Sequence, residues 1–312
     1  MTISWHIGLP AQLGQDDGVV ALTASELDEA TSRASAAIGL HDAMRDLAPR
    51  APRVEIHVPP YRPRSLIPVL AWLATRLGQD DAEVAWYLDN RQGPDSVRTL
   101  LEGLGWSLAQ DRKGRTVRLH GVRPPTAVLP EPASFIARLG GHQARLAADY
   151  GVFSPDHVDA GTSLLLEAAL LRPPVDTVAD IGIGYGALAI GLVVNSVAQE
   201  VVATDVDCIA LWLAEQNANA HGVPLALNCH PDPSSVQLTP LTLCNIPTHI
   251  NAEQTARFMT GLVRRAKHGT LLVVVHASLE DRYTRYLTSA RLRVHRHPGP
   301  AHVVLEVTGS GR

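Results

Sequence analysis

Asp180-Ile181-Gly182-Ile183-Gly184-Tyr185-Gly186 holds the densest group of residues with chemical potential in this chain. Glycine has no Cβ, so the backbone can turn sharply there and approach a ligand closely. An apolar run, Val175 to Ile181, precedes the glycines and a second, Ala187 to Val194, follows them. That order reads as strand, glycine turn and helix. The helix start leaves N–H groups without intrahelical partners, and such a turn is the nucleotide-binding end of a doubly wound α/β sheet. Two kinds of ligand fit it. Gly182-x-Gly184-x-x-Ala187 satisfies the relaxed dinucleotide fingerprint. Asp180 instead suits a cationic group at the strand end, where a pyrophosphate would be repelled. The next strand, Glu200 to Thr204, ends at Asp205, whose carboxylate suits ribose hydroxyls in either case.

The elements that must position these residues can be read on both sides. After the glycine turn come a helix from Ile209 to His221, strands at Pro224 to Asn228 and Leu241 to Asn245, and a helix from Asn251 to Lys267 capped by Asn251. Thr270 to His276 is a Val/Leu run suited to a central strand. Arg291 to His295 and His302 to Val307 flank Pro298-Gly299-Pro300, which predicts a closing pair of strands. Ahead of the turn, Gly161 to Leu171 reads as an apolar helix.

The first half also alternates. Thr23-Ala24-Ser25-Glu26 reads as a capping box, with an amphipathic helix behind it to about Leu47. Val54 to Val58 and Ala82 to Leu88 read as strands, Ser65 to Leu77 and Ser96 to Leu104 as helices, and Thr116 to His120 as a closing strand. Residues 1 to about 22 predict no element. No glycine triplet occurs in this half; the loop where one would be expected reads Asp89-Asn90-Arg91-Gln92-Gly93-Pro94. Prolines crowd Arg123-Pro124-Pro125 to Pro130-Glu131-Pro132, and the domain boundary is expected there.

The chain has 312 residues, enough for two domains, and a net charge of −4. That balance gives no support to a large nucleic-acid interface, although local patches can still supply one. No stretch predicts a membrane span, and Met1 to His6 carries no signal-peptide pattern. Cys208, Cys229 and Cys244 show no CxxC spacing, so a reduced cytoplasmic setting is expected.

Asp180-x-Gly182-x-Gly184-x-Gly186 resembles motif I of class I S-adenosylmethionine (SAM) methyltransferases. Gly151-Val152-Phe153-Ser154 and Val158 to Leu166 resemble the segment before motif I in small methyltransferase domains. The chain is similar to tandem-domain bacterial ribosomal-RNA guanine-N2 methyltransferases, most strongly over residues 151 to 220. The resemblance implies an α/β fold with a degenerate methyltransferase-like domain and linker at 1–135. It implies a SAM-binding catalytic domain at 136–312, Rossmann-like, with a seven-stranded sheet ending in an antiparallel hairpin. It also implies cofactor roles for Asp180, Gly182, Gly184, Gly186 and Asp205, and a guanine amine of ribosomal RNA or a ribosomal subunit as acceptor. The family has Asn-Pro-Pro-Phe at the end of the fourth strand; here the residues are Asn245-Ile246-Pro247-Thr248. In the family the Asn side chain and the following carbonyl accept hydrogen bonds from the target amine, and the aromatic ring stacks on the base. Asn245 and Pro247 are retained, whereas Thr248 cannot stack a purine. Phe153, Tyr150 and Tyr185 are the candidate rings in its place.

The remaining candidates have bland readings beside the chemical ones. His249 can accept a proton or be a plain loop histidine. Asp232 stands where an acidic residue contacts adenine in this fold, or makes a turn in Pro231-Asp232-Pro233. Thr162 and Asp159 can shape the cofactor mouth, and Asp159 can equally begin a helix. Arg257, Arg264, Arg265 and Lys267 suit the basic end of a helix dipole or contact with RNA. Cys229, His230, Asp232, Cys244 and His249 match no zinc spacing, so no metal is expected. The expected activity is SAM-dependent methyl transfer to ribosomal RNA. A small-molecule methyltransferase and a non-catalytic SAM- or RNA-binding scaffold are the alternatives.

Overall fold

The computed structural model describes residues 4–45, 49–124, 126–247 and 251–310. The chain divides into two compact units: Met1–Ala133 with Asp149–Gly151, and Ser134–Ala148 with Val152–Arg312. Among the described residues, no helix is long and apolar enough to cross a membrane.

The first unit runs β1 (Ser4–Ile7), β2 (Gly18–Ala21), α1 (Ala24–Arg33), β3 (Ala36–Gly39), α2 (Leu40–Arg45), β4 (Ala51–His57), α3 (Ile67–Leu77), β5 (Gly78–Asp89), α4 (Pro94–Gly103), β6 (Ser107–Lys113) and β7 (Thr116–Val122). Its seven strands stand in the order β3-β2-β1-β4-β5-β7-β6. The second unit opens with a separate hairpin of β8 (Ser134–Leu139) and β9 (His142–Ala147). It continues with α5 (Ala160–Leu170), β10 (Val175–Ile181), α6 (Ala187–Val194), β11 (Ala198–Asp205), α7 (Cys208–Ala220), β12 (Leu225–Cys229) and β13 (Leu241–Asn245). It closes with α8 (Ala252–His268), β14 (Thr270–His276), α9 (Glu280–Ser289), β15 (Leu292–Pro298) and β16 (His302–Gly309). Its sheet order, β12-β11-β10-β13-β14-β16-β15, repeats that of the first unit.

The last pair, β15 and β16, is antiparallel, and β16 inserts beside β14. The strands β10 to β14 are parallel, so their carboxyl ends share one edge, where β10, β11 and β13 deliver Asp180, Asp205 and Asn245. Both faces of this sheet are covered, which is why β14 is a continuous buried run, Leu271 to Val275. Asn251 caps α8 by accepting from Gln254 N (2.9 Å), while Gln254 Oε1 accepts from Asn251 N (3.3 Å).

Several expectations are corrected. The helix expected from Thr23 to about Leu47 ends at Arg33, because Ala36–Gly39 pairs as a strand with Gly18–Ala21. Leu47 itself lies outside the described residues. Residues 1 to 22, which predict no element, contain β1 and β2. Tertiary pairing outweighs the weak local pattern of four-residue strands. The strand β6, the hairpin β8–β9 and the helix α9 also have no counterpart in the sequence reading.

The N-terminal counterpart of motif I is misplaced as well. Asn90-Arg91-Gln92-Gly93 follows β5, whereas the strand in the position of β10 is β1. The turn after β1 is Gly8-Leu9-Pro10. Gly8 has φ +79° and donates its N–H to Val20 O (2.9 Å), as Gly182, with φ +78°, donates to Thr204 O (2.8 Å).

Candidate active site

The glycine turn after β10 is held by the neighbouring strand. Gly182 and Ile183 both donate to Thr204 O (2.8 and 3.1 Å), and Gly184 N–H donates to Asp205 Oδ2 (2.8 Å). Asp205 Oδ1 accepts from Asp207 N (3.0 Å), so one carboxylate ties the turn to the start of α7. Gly182 and Gly184 have positive φ, and a Cβ at either would meet nothing within 4 Å. The space in front of their backbone is therefore open to a ligand. Gly186 also has positive φ, but a Cβ there would touch Ala214 at 3.4 Å, so its role is packing of the turn on α7.

The turn forms one wall of a cavity of about 710 Å³. Asp180, Gly182, Gly184, Asp205, Thr162, Tyr185, Asn245, Pro247 and Phe153 all line it. Asp180 is 2% exposed, and its Oδ2 has no hydrogen-bond partner. Burial, and then the charge of Asp205, push its carboxyl up to about 7. Burial, and then Asp207, push Asp205 up to about 6. A cavity wall with two destabilised carboxylates suits a cationic ligand that also carries hydroxyls, and it disfavours a pyrophosphate. The buried orphan oxygen of Asp180 and the open glycine backbone together fit SAM.

Asn245 ends β13, the strand beside β10, and lines the same cavity. Its Nδ2 donates to Asp159 Oδ2 and to Thr162 Oγ1, both at 3.0 Å. A carboxylate only accepts, so the side-chain amide must turn its NH2 toward Asp159. Both amide protons are used, and Oδ1 is left as the acceptor of a residue on the cavity wall. Asp159 also caps α5, its Oδ2 accepting from Thr162 N (3.1 Å). The helix-capping and cavity-shaping readings of Asp159 are thus both satisfied.

Other candidates separate. Phe153 is 71% exposed at the cavity. Tyr185 is buried, donates its hydroxyl to His157 O (3.1 Å) and packs edge-on against Phe135. Burial raises its hydroxyl well above the ordinary range. Tyr150 is buried in the first unit beside Pro130 O and is not a cavity ring. Asp232 does not line the cavity, although His230 and Pro231 do; its Oδ1 accepts from Ser234 N (2.7 Å) in a turn. Thr248 and His249 lie outside the described residues.

Arg265 answers to neither reading of its basic helix. It is 1% exposed and donates to Thr242 Oγ1, Pro233 O, Val236 O and Gln237 O, fastening the 233–237 segment. The cysteines are buried, with Cys208 and Cys229 Sγ atoms 2.9 Å apart, and Cys229, His230, Asp232 and Cys244 do not form a ligand cluster among the described residues.

Sequence reasoning missed His276 and His302. They pair in register at the end of β14 and the start of β16, and both line the cavity. Their rings meet edge-on at 5.5 Å. The expected closing hairpin was the signal that could have found them, because it returns β16 to the cavity edge beside β14.

The sequence profile of the family described as "Methyltransferase small domain" matches residues 143–292. A curated relative, the ribosomal RNA small subunit methyltransferase C of Hahella chejuensis, is 25% identical over 238 residues. That match covers 72% of this chain and 66% of the relative's own length, just under two thirds. The solved T. thermophilus 16S rRNA N2 methyltransferase, in complex with AdoMet and guanosine, superposes with a TM-score of 0.73 at 18% identity. It covers 99% of this chain and 88% of that one. Residues 143–292, just under half of the chain, thus match the methyltransferase small domain, and the chain as a whole has the two-unit Rossmann-like fold of the solved methyltransferase.

Proposed function

We propose that this protein methylates the exocyclic amine of a guanine in ribosomal RNA, with SAM as donor. The bound cofactor supplies an electrophilic methyl group on a sulfonium. Asp180 is the partner for its ammonium group, and Gly182 and Gly184 let it approach the backbone. Asp205 keeps lone pairs for ribose hydroxyls beyond the two amide bonds it already accepts. Asp232 is not assigned a cofactor contact.

The observation that carries the reading is the tethered amide of Asn245. With Nδ2 held by Asp159 and Thr162, Oδ1 accepts a hydrogen bond from the substrate amine and directs the nitrogen lone pair at the methyl group. Pro247 restricts the backbone beside it. An aromatic amine need not lose a proton before attack, so a neutral acceptor is sufficient; the surplus proton leaves to solvent after transfer. Phe153, exposed at the cavity, is the ring available to stack on the base. Base stacking is worth roughly 1–3 kcal/mol. In this reading 136–312 is the catalytic domain and 1–135 a degenerate methyltransferase-like domain whose Gly8-Leu9-Pro10 turn has a single glycine. The reaction would take place in the cytoplasm, on ribosomal RNA or a subunit.

A small-molecule acceptor is the second reading, favoured by threonine in place of the family's aromatic at position 248. Labelled SAM should be incubated with the protein and ribosomal subunits from a strain lacking it, and separately with a metabolite extract. Label at a guanine amine of ribosomal RNA supports the proposal. Label in a metabolite alone selects the second reading. SAM binding without transfer to either leaves a scaffold and ends the catalytic proposal. Thr248→Phe should preserve or raise activity on RNA and obstruct a metabolite pocket.

A further inference from the structure

The N-terminal sheet gathers ligating side chains that methyl transfer does not use. His6 on β1 is in register with Glu55 on β4, and His57 stands two residues beyond Glu55 on the same face. His57 is in register with Tyr87 and stacks on its ring, with centroids 5.0 Å apart. Three ligand atoms converge. His6 Nδ1 lies 3.3 Å from His57 Nε2 and 3.5 Å from Glu55 Oε2, and the last two are 3.9 Å apart. His6 is 5% exposed, and its other ring nitrogen, Nε2, is 3.3 Å from Asp17 Oδ2. Arg53 Nε approaches the other oxygen of Glu55, Oε1, at 3.5 Å.

We propose that His6, Glu55 and His57 form a binding site for a divalent transition-metal ion of the zinc type, with Asp17 orienting His6. Tetrahedral zinc holds nitrogen and oxygen ligands at about 2.0–2.2 Å, which separates them by roughly 3.3–3.6 Å. Two of the three edges fall in that range, and the third closes with a small movement of the partly buried His57 or Glu55. Hydrogen bonding alone satisfies the cluster poorly. His6 Nε2 is buried without a hydrogen-bond partner although Asp17 Oδ2 lies 3.3 Å away, and Nδ1 has only the 3.3 Å contact to His57 Nε2 while a Glu55 oxygen faces it at 3.5 Å. A cation between the three atoms would take one lone pair from each of them. Asp17 Oδ2, 3.3 Å from His6 Nε2, is placed to become the carboxylate partner that fixes a metal-bound ring after a small reorientation.

The position has a structural logic. Ile7 pairs with Ile56 as Ile181 pairs with Cys244. His6 and His57 therefore take the strand positions of Asp180 and Asn245 in the other unit. The metal would brace the carboxyl ends of β1 and β4, where the second unit has its cavity. His6 is remote in sequence from Glu55-x-His57, so no spacing motif announces the site.

The test uses the full chain after treatment with a chelator. Calorimetric titration with Zn²⁺ should give one equivalent bound and a higher melting temperature. Co²⁺ should give the intense visible absorption of a tetrahedral site. Glu55→Gln and His57→Ala should lose this binding and the Co²⁺ band, and Asp17→Asn should weaken binding about tenfold to a hundredfold. Circular dichroism and unchanged SAM affinity would establish that the variants are folded. No bound equivalent in the wild type, or equal binding by folded Glu55→Gln and His57→Ala, would overturn the proposal.

Discussion

Asn245→Ala tests the proposed reaction most directly. In the folded protein the amide donates one charge-assisted hydrogen bond to Asp159 and one neutral bond to Thr162, each at 3.0 Å. Such bonds contribute roughly 1.5–3 and 0.5–1.5 kcal/mol respectively. A flipped amide would forfeit the first and set Oδ1 against the Asp159 carboxylate, so a single orientation dominates and Oδ1 is preorganised as acceptor. Removing it should cost about 2.7–4 kcal/mol of transition-state stabilisation, a fall of roughly a hundredfold to a thousandfold in turnover. SAM affinity should stay nearly unchanged, because the side-chain amide bonds Asp159 and Thr162 and none of its hydrogen bonds goes to the glycine turn. Thr162→Val keeps the Asp159 tether and should lose only the neutral bond, about twofold to tenfold in turnover. Single-turnover transfer from labelled SAM gives the rates, and calorimetry gives the cofactor affinity. Full activity in Asn245→Ala would refute the role. A parallel loss of SAM binding would show that Asn245 serves the cofactor instead.

The raised carboxyl of Asp180 makes cofactor binding pH-dependent: a cation favours the carboxylate, so SAM affinity should rise with pH up to about 7 and then level. The cofactor-free protein should lose stability over the same rise, because the folded state holds this proton above the unfolded carboxyl's pKa of about 4. Calorimetry and melting curves between pH 5 and 8, with Asp180→Asn removing the upper part of the dependence, check both statements. Gly184→Ala puts a Cβ into open space at φ +58°; it should cost about 1–2 kcal/mol of stability and weaken SAM binding. Undiminished affinity would count against the turn as the cofactor cradle. Arg265→Ala strips hydrogen-bond donors from buried Thr242 Oγ1 and the carbonyls of Pro233, Val236 and Gln237 and should destabilise by about 2–4 kcal/mol, whereas Arg264→Ala should leave the melting temperature within about a degree or two.

Legibility in the sequence followed the strength of local signals. The strand–turn–helix from Val175 to Val194 was readable because long apolar runs bracket residues whose backbone needs positive φ. The cap at Asn251 was readable from an asparagine at the start of a helical run, and the structure adds the return bond from Gln254. The strands β1 to β3 were not, since each has four residues and gains its stability from neighbours. Their loss also moved the expected N-terminal turn from Gly8 to Asn90. Asp232 shows the same limit: a Pro-Asp-Pro turn and a cofactor contact share one local pattern, and the tertiary structure adds its bond to Ser234 N and its place outside the cavity lining.

By itself the sequence determined the doubly wound unit, the glycine turn and the carboxylates at the ends of two strands. These follow from hydrophobic period, Cβ-free residues and charge, all local properties. The tertiary structure decided which side chains meet. It brought Asp159 and Thr162, on the chain before motif I, to the amide of Asn245 on a later strand. It buried Arg265 as a clamp and gathered His6 with Glu55 and His57. Such meetings depend on strand order and register, which couple residues distant in the chain, and no local pattern encodes that distance.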